Sequence, residues 1–164
     1  MGRRRRRQRL PQGEFEAEVA SMAHDGRGVA RVDGKATFIH GALPGERVSF
    51  RYLNRRRSHD EGEVAAVLRA AAGRVAPRCA HYGVCGGCSL QHLEAGAQIA
   101  AKQAVLLDKL RQLGQVTPQA VLPPLVNASP WGYRRKARLG VKDVARKGKV
   151  LVGFRERGSS FVAD

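Results

Sequence analysis

The sequence predicts a mostly β fold with some α: a small five-stranded barrel followed by a partial α+β region. Three observations carry that reading. Short segments of alternating apolar and polar residues recur between Glu14 and Leu68, separated by turn dipeptides. A cysteine- and glycine-rich loop then breaks the pattern, and an apolar stripe at helical spacing follows it. Two further alternating segments lie near residue 140 and near residue 150.

Each element has a local reason. Glu14–Val19 alternates acidic and apolar residues, the period of a half-buried strand. Gly28–Val32 and Lys35–Ile39 flank Asp33-Gly34, a favoured two-residue hairpin turn, since both positions tolerate positive φ. Pro44-Gly45 is a turn signal. Arg47–Leu53 places Val48, Phe50 and Tyr52 on one face and Arg47, Ser49 and Arg51 on the other. Arg55–Arg57 fits an exposed basic turn, and Gly62–Leu68 is a fifth, more continuously apolar strand. Short strands this closely spaced suggest a closed or half-closed barrel. Beyond the cysteine loop, Leu93, Ala97, Ala100, Ala104, Leu107 and Leu110 recur at spacings of three and four, which predicts an amphipathic helix stopped at Gly114. Thr117–Pro130 holds four prolines and reads as a connector. Tyr133–Lys142 and Lys149–Arg155 read as two strands joined by a basic turn around Ala145–Gly148.

Composition limits the function. The 164 residues carry a formal charge of +16, which points to a polyanion, with nucleic acid ahead of an anionic membrane surface. No stretch approaches the ~20 apolar residues that a membrane helix needs. Met1–Arg9 is basic with no apolar core behind it, unlike a secretory signal. The charge is uneven. Met1–Arg9 contributes +6, Leu10–Arg78 +2, Cys79–Ala128 +1 and Ser129–Asp164 +7. The Arg3–Arg7 run belongs to a disordered arm over residues 1–11, either a solubilising tail or a nucleic-acid clamp. The C-terminal block is more informative, because Trp131-Gly132-Tyr133-Arg134-Arg135-Lys136-Ala137-Arg138-Leu139 mixes cations with rings. Single-stranded RNA is held by that mixture, bases on rings and phosphates on guanidinium or ammonium groups. Arg134, Arg135, Lys136 and Arg138 are the candidate phosphate contacts, of which a strand would face only about half towards RNA. Trp131, Tyr133 and Phe38 are candidate base-stacking residues, with core anchoring as the alternative for each.

All three cysteines fall in Cys79-Ala80-His81-Tyr82-Gly83-Val84-Cys85-Gly86-Gly87-Cys88. Such clustering argues for a metal or cluster site. A structural zinc wants four ligands, usually as two close pairs. An iron–sulfur cluster also takes four thiolates but tolerates a compact three-cysteine loop with a distant fourth, so this spacing favours the cluster. A redox disulfide pair and inert buried thiols are the alternatives. The fourth ligand is His81, His92 or, a better fit, a cysteine beyond residue 164.

Pro77-Arg78-Cys79, Cys85-Gly86-Gly87-Cys88, Gln91-His92, Pro130–Leu139, Gly153-Phe154-Arg155 and Gly158-Ser159-Ser160 together resemble the bacterial RNA uracil-C5 methyltransferases. Within that family the likeness is greatest to the branch that makes 5-methyluridine in 23S rRNA. Asp25–Ala30 and Phe38–Glu46 are similar to a TRAM domain, a small RNA-binding barrel of OB-like type. The resemblance implies a TRAM barrel over 12–72, and over 73–164 part of a central domain bearing a 4Fe–4S cluster held by Cys79, Cys85 and Cys88. It also implies a C-terminal domain for S-adenosylmethionine, absent from this chain, with Asp164 as a truncation point.

In the family a cysteine adds to C6 of uracil, C5 attacks the methyl sulfonium, and a carboxylate removes the C5 proton. No cysteine here has that context and no cofactor-binding Gly-rich loop is present, so the chain by itself is expected to be inactive. Ribosomal RNA is the implied partner, the cytoplasm the implied location and a monomer the implied state. A tRNA uracil methyltransferase, a stand-alone RNA-binding module and a zinc-binding ribosome-associated protein are the competing readings.

Overall fold

The computed structural model describes residues 10–127 and 129–164, so the Arg3–Arg7 arm lies outside the described residues. The chain divides into two compact units, one ending at Ala72 and the other beginning at Gly73.

The first unit is a closed barrel of five strands. These are β1 (Phe15–Met22), β2 (Gly28–Val32), β3 (Lys35–His40), β4 (Arg47–Arg55) and β5 (Asp60–Arg69). The order around the barrel is β1-β2-β3-β5-β4, and β4 closes back onto β1 with Phe15 opposite Phe50. β3 and β5 run parallel, and every other pair is antiparallel. This is the small closed barrel expected from the closely spaced short strands, and it is consistent with the OB-like type that the TRAM resemblance implies. The β2–β3 turn takes its shape from Asp33 and Gly34, both at positive φ (50° and 78°). That is the hairpin geometry which matches strand twist.

The barrel interior is filled by Ala17, Val19, Ala30, Ile39, Ala42, Val48 and Phe50, with Phe15, Val32, Tyr52, Val64 and Val67 packed around them. Strand alternation explains most of this set. Ser49 departs from it: the residue is buried, yet it lies on the polar face of β4. Its hydroxyl donates to the Glu14 carboxylate at 2.6 Å, so the burial costs no hydrogen bond.

Two charged side chains are also buried. Glu46 accepts from the Leu43 amide at 2.8 Å and the Ala71 amide at 3.2 Å, tying the β3–β4 turn to the chain leaving β5. Asp60 pairs with Lys35 at 2.6 Å and Arg55 at 3.2 Å. Both carboxylates are thus matched to donors, as buried charge requires.

The second unit holds one long helix, α1 (Ala95–Gln112), and a hairpin of β6 (Gly140–Val144) and β7 (Lys149–Gly153). Glu94 caps α1, its carboxylate accepting from the Gly96 and Ala97 amides at 2.9 Å. Those amide donors hold its carboxyl below the usual carboxylate range. One detail of the expected helix changes. Its apolar stripe buries no residue within α1 among the described residues. The helix ends just before Gly114, as expected, and the left-handed residue beyond it is Gln115 (φ 52°). Gly114 serves by lacking a Cβ, which would stand 2.9 Å from the Leu110 carbonyl oxygen.

The strand expected over Tyr133–Lys142 is shorter. Pairing runs from Gly140–Gly153 to Val144–Lys149 and no further, so residues 131–139 are not strand. A strand needs a hydrogen-bonded neighbour as well as alternation, and the basic run has none among the described residues. β7 likewise ends at Gly153, with Arg155 making only an isolated bridge to Val162. The turn between them is a 3-10 helix over Ala145–Lys147, closed by Gly148 at φ 61°.

Candidate nucleic-acid interface and cysteine loop

The cysteine loop is a chain of tight turns. The Tyr82 amide donates to the Cys79 carbonyl at 3.1 Å, and the Cys85 amide to the His81 carbonyl at 2.9 Å. The Cys79 amide is held by the Gln91 side-chain oxygen at 3.2 Å. Tyr82 closes the loop from inside. Its hydroxyl donates to the Ser89 carbonyl at 2.9 Å and meets Nδ1 of the buried His92. Burial pushes the Tyr82 hydroxyl pKa up. His92, one of the candidate fourth ligands, is thus part of the loop's own closure, and His81 is exposed.

Cys79 and Cys85 are half-buried, Cys88 is exposed, and all three are free thiols. Among the described residues no three Cys, His, Asp or Glu side chains converge on a single metal ion. A cluster makes a different demand, because each thiolate bonds its own iron rather than a shared centre. The donor chemistry suits that. Three thiols share one loop, and the Gly87 amide donates to Cys85 Sγ at 3.3 Å. Such an N–H stabilises a thiolate and tunes a bound cluster.

The basic segment is placed by its N-terminal turn. The Ser129 hydroxyl donates to the Trp131 carbonyl at 2.9 Å and accepts from the Trp131 amide at 3.2 Å, and Gly132 follows at φ 68°. Arg134, Arg135, Lys136 and Arg138 are all exposed, and with no strand there is no alternation to turn half of them away. Trp131 and Tyr133 are exposed at 42% and 60%, so neither is a core anchor among the described residues. The Arg78 guanidinium stands 4.8 Å from the centre of the Trp131 ring, a contact that sequence reasoning did not foresee.

Phe38 lies half-buried on the barrel surface. The Arg27 guanidinium sits 4.8 Å from its ring centre, and the His59 ring meets it edge-on at 5.3 Å. Arg27, Arg56 and His59 all approach the Glu61 carboxylate, at 3.7, 3.4 and 3.5 Å. Against the effect of partial burial, hydrogen bonds from Asn54 and His59 and the nearby Arg56 and Arg27 guanidinium groups hold the Glu61 carboxyl below its usual range. This patch of rings and cations around one carboxylate is the barrel's candidate RNA surface.

Residues 9–51 match the TRAM domain. Over all 164 residues the chain is 56% identical to the 23S rRNA (uracil(1939)-C(5))-methyltransferase RlmD of Alkalilimnicola ehrlichii, spanning 36% of that protein. It is 55% identical over 158 residues (96% of this chain, 35% of the relative) to the RlmD of Nitrosococcus oceani. To that of Francisella tularensis subsp. novicida it is 50% identical over 165 residues, covering all of this chain and 37% of the relative.

The chain thus carries a TRAM match and is similar throughout to RNA uracil-C5 methyltransferases. The chain spans little more than a third of the length of these curated relatives. The likeness covers the barrel, the cysteine loop and the basic segment together. No helix among the described residues is long and apolar enough to cross a membrane.

Proposed function

We propose that this chain is the RNA-gripping and cluster-bearing part of an S-adenosylmethionine-dependent enzyme that methylates C5 of a uracil in 23S rRNA. The observation that carries the reading is the 56% identity maintained over the whole chain to a methyltransferase named for uracil 1939 of that RNA. The exposed run Arg134–Arg138 beside Trp131 and Tyr133 supplies the phosphate and stacking contacts, and the Phe38 patch adds a second surface.

Cys79, Cys85 and Cys88 would hold three irons of a 4Fe–4S cluster, with a fourth ligand from elsewhere. The cluster would cross-link the loop and so fix its fold; the methyl group would come from S-adenosylmethionine in a further domain. The assembly works in the cytoplasm as a monomer, and the 164 residues alone bind RNA without methylating it.

Two measurements test this. Filter binding should show tighter association with a 23S rRNA fragment spanning the relatives' target than with tRNA; equal affinity would overturn the rRNA assignment. Anaerobic reconstitution with iron and sulfide should give a brown protein with iron and sulfide in equal amounts. A colourless protein with stoichiometric zinc would overturn the cluster.

A further inference from the structure

We propose that a pocket walled by the cysteine loop takes one nucleotide of single-stranded RNA, with its base against Phe154 and its flanking phosphates at Arg138 and Arg155. The inference rests on the RNA-binding reading above and adds a subsite to it.

The pocket has a volume of about 310 Å³ and is lined by Gly86–Gly87, Arg138–Gly140, Phe154 and Arg155. Three separate stretches of chain build it. The Gly86 amide donates to the Arg155 carbonyl at 2.8 Å, and the Arg157 amide to the Val84 carbonyl at 2.8 Å. Cys85 and Glu156 form an antiparallel bridge between these bonds. The loop is therefore stitched to the segment after β7. Register does the rest: Gly140 of β6 pairs with Gly153 of β7, which brings Arg138 and Leu139 beside Phe154 and Arg155.

The chemistry of the lining selects the ligand. Two arginines and no acidic residue are among the residues that line it, which favours an anion over a cation. A bare inorganic anion would leave the Leu139 and Phe154 surfaces without use. A nucleotide uses both kinds of surface, since its base has an apolar face and its phosphates are charged. The Phe154 side chain remains 37% exposed, leaving ring surface for stacking. The glycine wall is flat by necessity. A Cβ at Gly86 would stand 3.1 Å from the Arg155 carbonyl oxygen, and one at Gly87 would stand 3.4 Å from the Phe154 ring. Gly87 is thus packed against one side of the Phe154 ring, and a base stacked on the ring's exposed side would lie beside the loop that carries Cys85 and Cys88.

The test is fluorescence anisotropy of the 164-residue chain with a labelled oligouridylate and with an abasic ribose-phosphate oligomer of equal length. Phe154→Leu should weaken oligouridylate binding about tenfold, in line with the loss of one stacked base, and leave the abasic oligomer within about twofold. Phe154→Tyr, which keeps the ring, should retain wild-type binding and so separate stacking from misfolding. Arg138→Gln and Arg155→Gln should each lower the slope of log K against log salt by about 0.7, the value for one phosphate contact on a single strand. If Phe154→Leu and Phe154→Tyr bind oligouridylate like the unsubstituted chain, or if Phe154→Leu weakens both oligomers equally, the subsite is overturned while the RNA-binding reading stands. If the unsubstituted chain binds neither oligomer, the RNA-binding reading itself fails.

Discussion

The Arg78 guanidinium lies over the Trp131 ring at 4.8 Å, joining the residue before the first loop cysteine to the start of the basic segment. Their separation in sequence is bridged by no backbone pairing between these two residues. Trp131 is the only tryptophan, so its emission reports this contact alone. Arg78→Ala should remove a cation–π contact worth about 0.5–1 kcal/mol and expose the ring further. Acrylamide quenching of Trp131 should rise in the variant. Unchanged quenching would mean that the stack contributes nothing to holding the segment.

Glu46 is buried with its two carboxylate oxygens on the Leu43 and Ala71 amides. Glu46→Ala would leave these donors without the carboxylate and should cost the barrel about 3 kcal/mol. Urea unfolding followed by circular dichroism measures it, and a loss under about 1 kcal/mol would show that the turn and the β5 exit are held by other contacts.

Gly62 on β5 faces the Phe50 ring across the barrel wall. A Cβ there would stand 2.6 Å from Phe50 Cδ2 and 3.0 Å from the Arg51 carbonyl oxygen. Neither the core ring nor the backbone can yield cheaply, so Gly62→Ala should destabilise the barrel by about 1–3 kcal/mol. A paired Gly62→Ala/Phe50→Leu variant should recover part of that loss in the same unfolding experiment.

The barrel was legible because each strand carries its own alternation and its turns carry their own chemistry. β2 was readable residue for residue, since Asp33-Gly34 fixes where it must stop. The basic segment was misread as a strand because Tyr133–Lys142 alternates without a neighbour to pair with, and pairing partners are not visible in one segment's pattern. The helix was legible in extent, but periodicity cannot say what covers an apolar stripe, and α1 buries none of its residues among those described. The cysteines announced themselves by clustering. Arg155 and Phe154 did not stand out as site residues, because only the Gly140–Gly153 register and the Gly86–Arg155 hydrogen bond bring them to the loop.

Asp164 ties down the β6–β7 hairpin, accepting from Lys147 at 2.5 Å and Lys149 at 2.6 Å. These two ammonium groups lower its carboxyl from 3.8 to about 2. A carboxyl depressed in the fold stabilises above its unfolded pKa, and that contribution disappears as pH falls through the folded value. The hairpin should therefore loosen between about pH 4 and pH 2, read from the Val150 and Val152 methyl resonances. Asp164→Asn should remove this acid step; if the step persists in that variant, another carboxylate is responsible.

The central claim is that the exposed cations of residues 134–136 hold RNA phosphates. Binding of a labelled single-stranded 23S rRNA fragment across a range of salt concentrations tests it most directly, comparing the unsubstituted chain with Arg134→Gln/Arg135→Gln/Lys136→Gln. These side chains are exposed and outside any strand, so the triple variant should fold normally. The account predicts that the slope of log K against log salt falls in magnitude by about 2, close to 0.7 for each lost phosphate contact. An unchanged slope would contradict it.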